Sequence, residues 1–150
     1  MDRFDRIIRG SIVFAFASLI VIPFLVIAGL IASYEEPTPA ESFRDIVGQD
    51  PARYTGIQHF SDIGIDVSHH FRFEFADAAD IDALIVSHRL RPNPSLRPLL
   101  NNKQPEWYAP DTVPPSPNGR RYSSDRTIEP VNSLFVDYQE KIAYFVYEDF

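Results

Sequence analysis

Apolar and polar positions along this chain follow three different patterns in succession. Between Ser11 and Ser33 no charged residue occurs. A run of that length meets the roughly 20 residues needed to cross a hydrocarbon core of about 30 Å at about 1.5 Å per residue. The pattern predicts a single transmembrane helix over 11–33, anchored through Ile12, Phe16, Ile20, Ile27 and Leu30. Pro23 falls near its middle, where a missing backbone donor predicts a mild kink.

After a polar stalk with two prolines over 34–40, Ala40–Gly48 reads as a short helix, with Phe43, Ile46 and Val47 on one face and glycine as its stop. Tyr54–Phe60 and Ile63–Val67 are candidate strands of poor periodicity. Ser68–Phe75 alternates strictly, so Phe71, Phe73 and Phe75 should face a core while His70, Arg72 and Glu74 face water. Asp77 is placed to cap a helix running on to Leu90, with Ile81, Leu84, Ile85 and His88 at helical spacing.

Residues 91–133 hold nine prolines, a density that excludes central strands. Leu96, Leu99, Leu100, Trp107 and Tyr108 nevertheless supply apolar anchors, and they predict a long loop laid over the sheet edge with Pro114–Arg121 as its tip. Ser133–Tyr138 and Ile142–Tyr147 then form a hairpin with apolar residues on both faces, which suits the centre of a sheet. The fold class expected is α+β: an N-terminal transmembrane helix, then a small antiparallel-sheet domain with one main helix and a long proline-rich loop. Its divisions are a cytoplasmic N-terminus (1–10), the span (11–33), a stalk (34–40) and an extracytoplasmic domain (41–150).

Charge sets the orientation. Arg3, Arg6 and Arg9 precede the apolar run, whereas Glu35 and Glu36 follow it and no base appears until Arg44. Basic flanks stay in the cytoplasm, so the N-terminus should lie inside and the C-terminal domain in the periplasm or outside the cell. A cleaved signal peptide is disfavoured because its apolar region is about 7–15 residues long, and the best small-x-small site here, Thr38-Pro39-Ala40, lies beyond the run and carries a proline. The chain has no cysteine, which excludes a lipoprotein anchor, disulfides and thiolate metal sites. Residues 34–150 carry 19 acidic against 11 basic side chains, net −8, a balance unsuited to nucleic acid.

Candidate chemistry is sparse. All four histidines lie between His59 and His88, but His69 and His70 are adjacent on a strand and point to opposite faces, so they should not share an ion. Ser68 and Ser87 sit beside histidines without the Gly-x-Ser-x-Gly turn of a hydrolase nucleophile. Asp77, Asp80 and Asp82 lack the glycine and final glutamate of a calcium loop and read as helix-start residues. No phosphate-binding glycine pattern is present, so neither an enzymatic activity nor a cofactor is expected. Trp107, Tyr108 and Tyr122 with Arg120 and Arg121 have the composition of a protein contact surface.

The order of HHFRFEFA, ADIDALIVSHRL, PEWYAP and SLFVDYQEKIAYFVYEDF resembles that of small membrane-anchored bacterial proteins with a Phe-x-Phe strand, a Pro-x-Trp loop and an aromatic C-terminal hairpin. The resemblance implies an anchored α+β domain and no particular mechanism. The expected function is a single-pass, membrane-anchored, non-enzymatic accessory or binding module. Its partners would be the lipid bilayer, through 11–33, and a membrane or envelope protein. The alternative is a small extracytoplasmic histidine-dependent hydrolase or metal-binding protein using His69, His70 or His88.

Overall fold

The computed structural model describes residues 21–23, 25–27, 35–63, 67–98, 104–114, 118–125 and 130–149. The chain divides into two units, Met1–Glu36 and Pro37–Phe150. In the first, residues 21–23 and 25–27 are helical, so the backbone on both sides of position 24, including Pro23, is helix. Val21, Ile22, Leu25, Val26 and Ile27 all expose their side chains. Ile12, Phe16, Ile20 and Leu30 lie outside the described residues, and among the described residues no helix is long and apolar enough to cross a membrane.

The second unit is α+β. Six antiparallel strands form one sheet: β1 (Tyr54–Ile63), β2 (Val67–Phe75), β3 (Arg91–Pro92), β4 (Gly119–Ser123), β5 (Val131–Asp137) and β6 (Ile142–Asp149), in spatial order β1-β2-β6-β5-β4-β3. The C-terminal hairpin β5–β6 occupies the centre, as its apolar residues on both faces predicted. Its connection is held by Asp137, whose Oδ1 accepts from the amides of Gln139 (2.9 Å) and Glu140 (3.0 Å).

One face of the sheet carries Phe71, Phe73, Phe75, Ala143, Phe145, Leu134 and Val136. Two elements cover it. The first is α1 (Pro39–Ser42), which runs into a wider π-type turn, Phe43–Val47, and stops at Gly48 in the left-handed region (φ 68°). Thr38 caps α1 reciprocally with Glu41, a Thr-x-x-Glu box that the assignment of 34–40 to a stalk passed over. Phe43 is fully buried and meets Phe71 and Phe73 edge-on, at centroid distances of 5.6 and 5.0 Å, and Tyr54 at 5.1 Å. Contacts of this kind add about 0.5–1.5 kcal/mol each beyond the area they bury.

The second cover is α2 (Ala78–Ser87), capped by Asp77, whose Oδ1 accepts from the Ala79 amide at 3.0 Å. It buries Ile81 and Leu84. It ends with Arg89 in the left-handed region (φ 51°), while Leu90 N donates to Ile85 O and Arg89 N to Val86 O, which satisfies two carbonyls of the last turn. Asp80 lies in the first turn of α2, as read from the sequence, and is also buried and paired with Arg53.

The opposite face, where His70, Arg72 and Glu74 of β2 were expected to meet water, is covered as well. It carries His70, Phe135, Tyr144 and Val146, and the proline-rich segment covers it with Leu96, Trp107, Tyr108 and Val113. Two expectations are corrected here. The loop lies on a face of the sheet, not over its edge, because Tyr108 packs edge-on against Phe60, His70 and Tyr144 at centroid distances of 5.0–5.6 Å. Residues 119–121, read as loop tip, belong to β4 and pair with β5. Proline density masked that strand, although the stretch from Gly119 to Ser123 itself contains no proline.

Candidate functional site

The histidines owe their positions to an irregularity in β1. Tyr54 and His59 are five residues apart, and in a regular strand they would face opposite sides. Thr55 pairs with Glu74 and Gln58 with Arg72, so Gly56 and Ile57 together oppose Phe73. Gly56 takes φ 58°, which a glycine adopts without strain. This bulge restores phase: Tyr54 opposes Phe75 and His59 opposes Phe71, both on the face that α1 and α2 cover. It also explains the poor alternation of Tyr54–Phe60 in the sequence.

His59, Ser61 and His69 consequently share one face near the end of the β1–β2 hairpin. His59 Nε2 lies 3.2 Å from His69 Nδ1, and Ser61 Oγ lies 3.3 Å from the former and 3.0 Å from the latter. The two rings meet edge to edge with centroids 5.4 Å apart and planes 21° apart, and His59 stacks on Phe71 at 4.5 Å. Burial pushes His59 down to about 4, with a further push from the neighbouring His69, and burial likewise lowers His69. Both imidazoles are therefore neutral at pH 7. Serine reactivity through a relay does not fit this geometry, because Ser61 and His59 approach the same nitrogen of His69, whereas a relay uses the two ring nitrogens separately.

His70 lies on the other face, as strand alternation required. It is 4% exposed, stacked flat on Phe60 at 4.4 Å, with Nε2 3.0 Å from Ser68 Oγ and Nδ1 buried without a partner. Burial pushes it down to about 4, against a smaller opposing effect of Asp62. His88 stands apart from the other three in its contacts: its Nε2 lies 2.9 Å from Val47 O, tying the end of α2 to the turn after α1. Among the described residues no group of three or more His, Cys, Asp or Glu side chains could hold a metal ion.

A separate concavity of about 520 Å³ lies at the β3–β4 edge, between Pro92, Pro94 and Pro114 and the strand residues Gly119, Arg120, Arg121 and Tyr122. Proline suits an edge because it has no amide to leave unpaired. Gly119 is required here by close approach, since a Cβ would collide with the Pro114 carbonyl oxygen. Arg121 reaches the loop: Nη1 donates to Leu96 O at 3.0 Å and Nη2 to Val113 O at 3.4 Å, with the guanidinium 6.0 Å over the Phe135 ring. Arg120 is exposed and lies 5.6 Å over the Tyr138 ring. Tyr122 places its hydroxyl 3.4 Å from that of Tyr138.

Of the five contact residues proposed from composition, the structure brings Arg120, Arg121 and Tyr122 together at this groove. Trp107 and Tyr108 pack instead against Phe60 and Tyr144 and hold the loop on the sheet. Sequence reasoning overlooked His59 and Ser61 as neighbours of His69. The available signal was Gly56 inside a strand pattern, which marks a bulge. No protein-family model matches the chain, and no curated protein or solved structure matches it either.

Proposed function

We propose that this protein is a single-pass, membrane-anchored, non-enzymatic accessory or binding module, with its N-terminus cytoplasmic and the sheet domain periplasmic or extracellular. The groove at the β3–β4 edge carries the reading: three prolines and Tyr122 make an apolar trough, and Arg120 offers an exposed cation at its rim. Such a trough fits an extended segment of a membrane or envelope protein that brings an apolar side chain and a carboxylate. Trp, Tyr and Arg anchors dominate contacts of this kind. The exposed aliphatic side chains of residues 21–27 support the anchor, since a helix in lipid has no reason to hide them.

Because the chain has no cysteine, single introduced thiols report topology cleanly. A membrane-impermeant maleimide applied to intact cells should label Ser95→Cys and not Asp5→Cys; the reverse would overturn the orientation. A photoreactive side chain at Arg120 should crosslink a membrane or envelope protein, and one at exposed Glu140 should not. Equal crosslinking from both positions, or none from Arg120, would remove the groove as the contact.

A further inference from the structure

We propose that the cavity between the end of α2 and the start of β5 binds a small, soluble phosphate monoester that also carries hydroxyl groups. The inference goes beyond the partner groove and shares no lining residue with it. The cavity has a volume of about 380 Å³, within the roughly 300–1,000 Å³ usual for small-molecule sites. Among its described lining residues all but Pro130 are polar, which suits a soluble ligand and not an acyl chain.

Two guanidinium groups line this cavity. Arg89 and Arg91 are both exposed, and neither takes part in the ion pairs found among the described residues. They outnumber the one acid that lines the cavity with them, Asp125. Arg89 holds its place against a backbone preference. It follows the last turn of α2 at φ 51°, in the position that glycine usually takes when a helix closes with these two hydrogen bonds. Keeping an arginine in left-handed backbone points to a use for its side chain. The favourable effect of a cation at a helix C-terminus accounts for one guanidinium and not for the second, on β3.

Asn132 supplies an independent sign. Its side chain lines the cavity, is 6% exposed and leaves Oδ1 without a hydrogen bond. Buried polar atoms nearly always have a partner. A ligand hydroxyl supplies one when the terminal amide turns toward the cavity. His88 adds a second acceptor: with Nε2 2.9 Å from the Val47 carbonyl oxygen, the proton sits on Nε2 and Nδ1 keeps a lone pair. One guanidinium fork fills a carboxylate, whereas the three terminal oxygens of a phosphate can take two. The cavity thus offers two cations for a phosphate and two acceptors for hydroxyl groups.

The test is calorimetric titration of the full-length, detergent-solubilised chain with glycerol phosphate, with glycerol as the uncharged control. One equivalent of the phosphate should bind, glycerol should not, and the affinity should fall as NaCl is raised. Removing a charged hydrogen-bonding partner costs at least about tenfold in affinity, so Arg89→Gly and Arg91→Gln should each lose that much. Arg89→Gly also separates binding from folding: it relieves the left-handed backbone, so the thermal midpoint of the unliganded chain should not fall while the affinity does. Arg97→Gln removes an exposed arginine that does not line this cavity, and it should bind as the unaltered chain does. No saturable binding, equal binding of glycerol, undiminished affinity in either cavity variant, or an equal loss in Arg97→Gln would each overturn the site.

Discussion

Protonating His70 should loosen the domain at a pH where its carboxylates are still charged. The ring lies between Phe60 and Tyr108, is 4% exposed, and leaves Nδ1 without a partner. Burial lowers it from 6.5 to about 4. The folded-state value lies below the unfolded one, so the unfolded chain takes up the proton first. Its contribution is therefore intact above pH 6.5 and is lost as the pH falls toward 4. At 1.36 kcal/mol per unit, His70 alone removes about 2–3 kcal/mol of stability between pH 8 and 4.5. That is a large share of the roughly 5–15 kcal/mol typical of a domain. Trp107, the single tryptophan, meets Phe60 edge-on at 5.8 Å, so its fluorescence reports on this face. Urea unfolding of the full-length chain at pH 8, 6.5, 5.5 and 4.5 measures the slope. In His70→Phe, which keeps a flat ring on Phe60 and has nothing to protonate, the slope should fall by about one proton's worth. What remains should come from His59, His69 and His88, which burial also lowers. An unchanged slope in that variant would refute the assignment.

Other consequences are simpler. Tyr108→Ala removes the ring that meets Phe60, His70 and Tyr144, and should destabilise by about 3–5 kcal/mol with rapid proteolysis between residues 94 and 114. Gly119→Ala drives a methyl into the Pro114 carbonyl and should cost about 1–3 kcal/mol, read as a lowered thermal midpoint. Asp77→Ala deletes the acceptor for the Ala79 amide and should cost about 1 kcal/mol by urea denaturation, whereas Asp77→Asn should recover most of it.

Much of the sheet domain is legible in the chain because its strongest patterns are local. Phe71, Phe73 and Phe75 alternate, Ile81 and Leu84 recur at helical spacing, and the β5–β6 run is apolar on both faces; each pattern found its place. What failed to show was anything set by long-range contact. His70 looks like a solvent-facing polar residue until Tyr108, 38 positions later, is laid over it. Asp80 is the helix-start acid it looks like, but its burial against Arg53, from the segment before β1, depends on a contact 27 residues away. Residues 119–123 become a strand because β5 offers a partner, while the surrounding prolines argue for loop. The hydroxyl-imidazole cluster was hidden by phase: without the bulge at Gly56, His59 would be counted on the wrong face.

The sheet order also bears on whether the hairpin cluster and the edge groove communicate. His69 lies on β2 and Tyr122 on β4, with β6 and β5 between them. Three inter-strand spacings of about 4.8 Å put these backbones about 14 Å apart. Effects of changes at sites more than about 7–10 Å apart with no shared partner add to within about 0.3–0.5 kcal/mol. The two sites do share a core, since both His59 through Phe71 and Tyr122 through Leu134 pack against the one aromatic layer around Phe145. That layer is fully buried at Phe71, Leu134 and Phe145, so a rearrangement large enough to carry a signal would open a cavity costing several kcal/mol. A change confined to the histidine cluster does not supply that much unless it favours one of the two arrangements strongly. The two surfaces should therefore act independently: His59→Ala should leave photocrosslinking from Arg120 unchanged. A change in that yield on His59→Ala would show that the central strands have two packings rather than one.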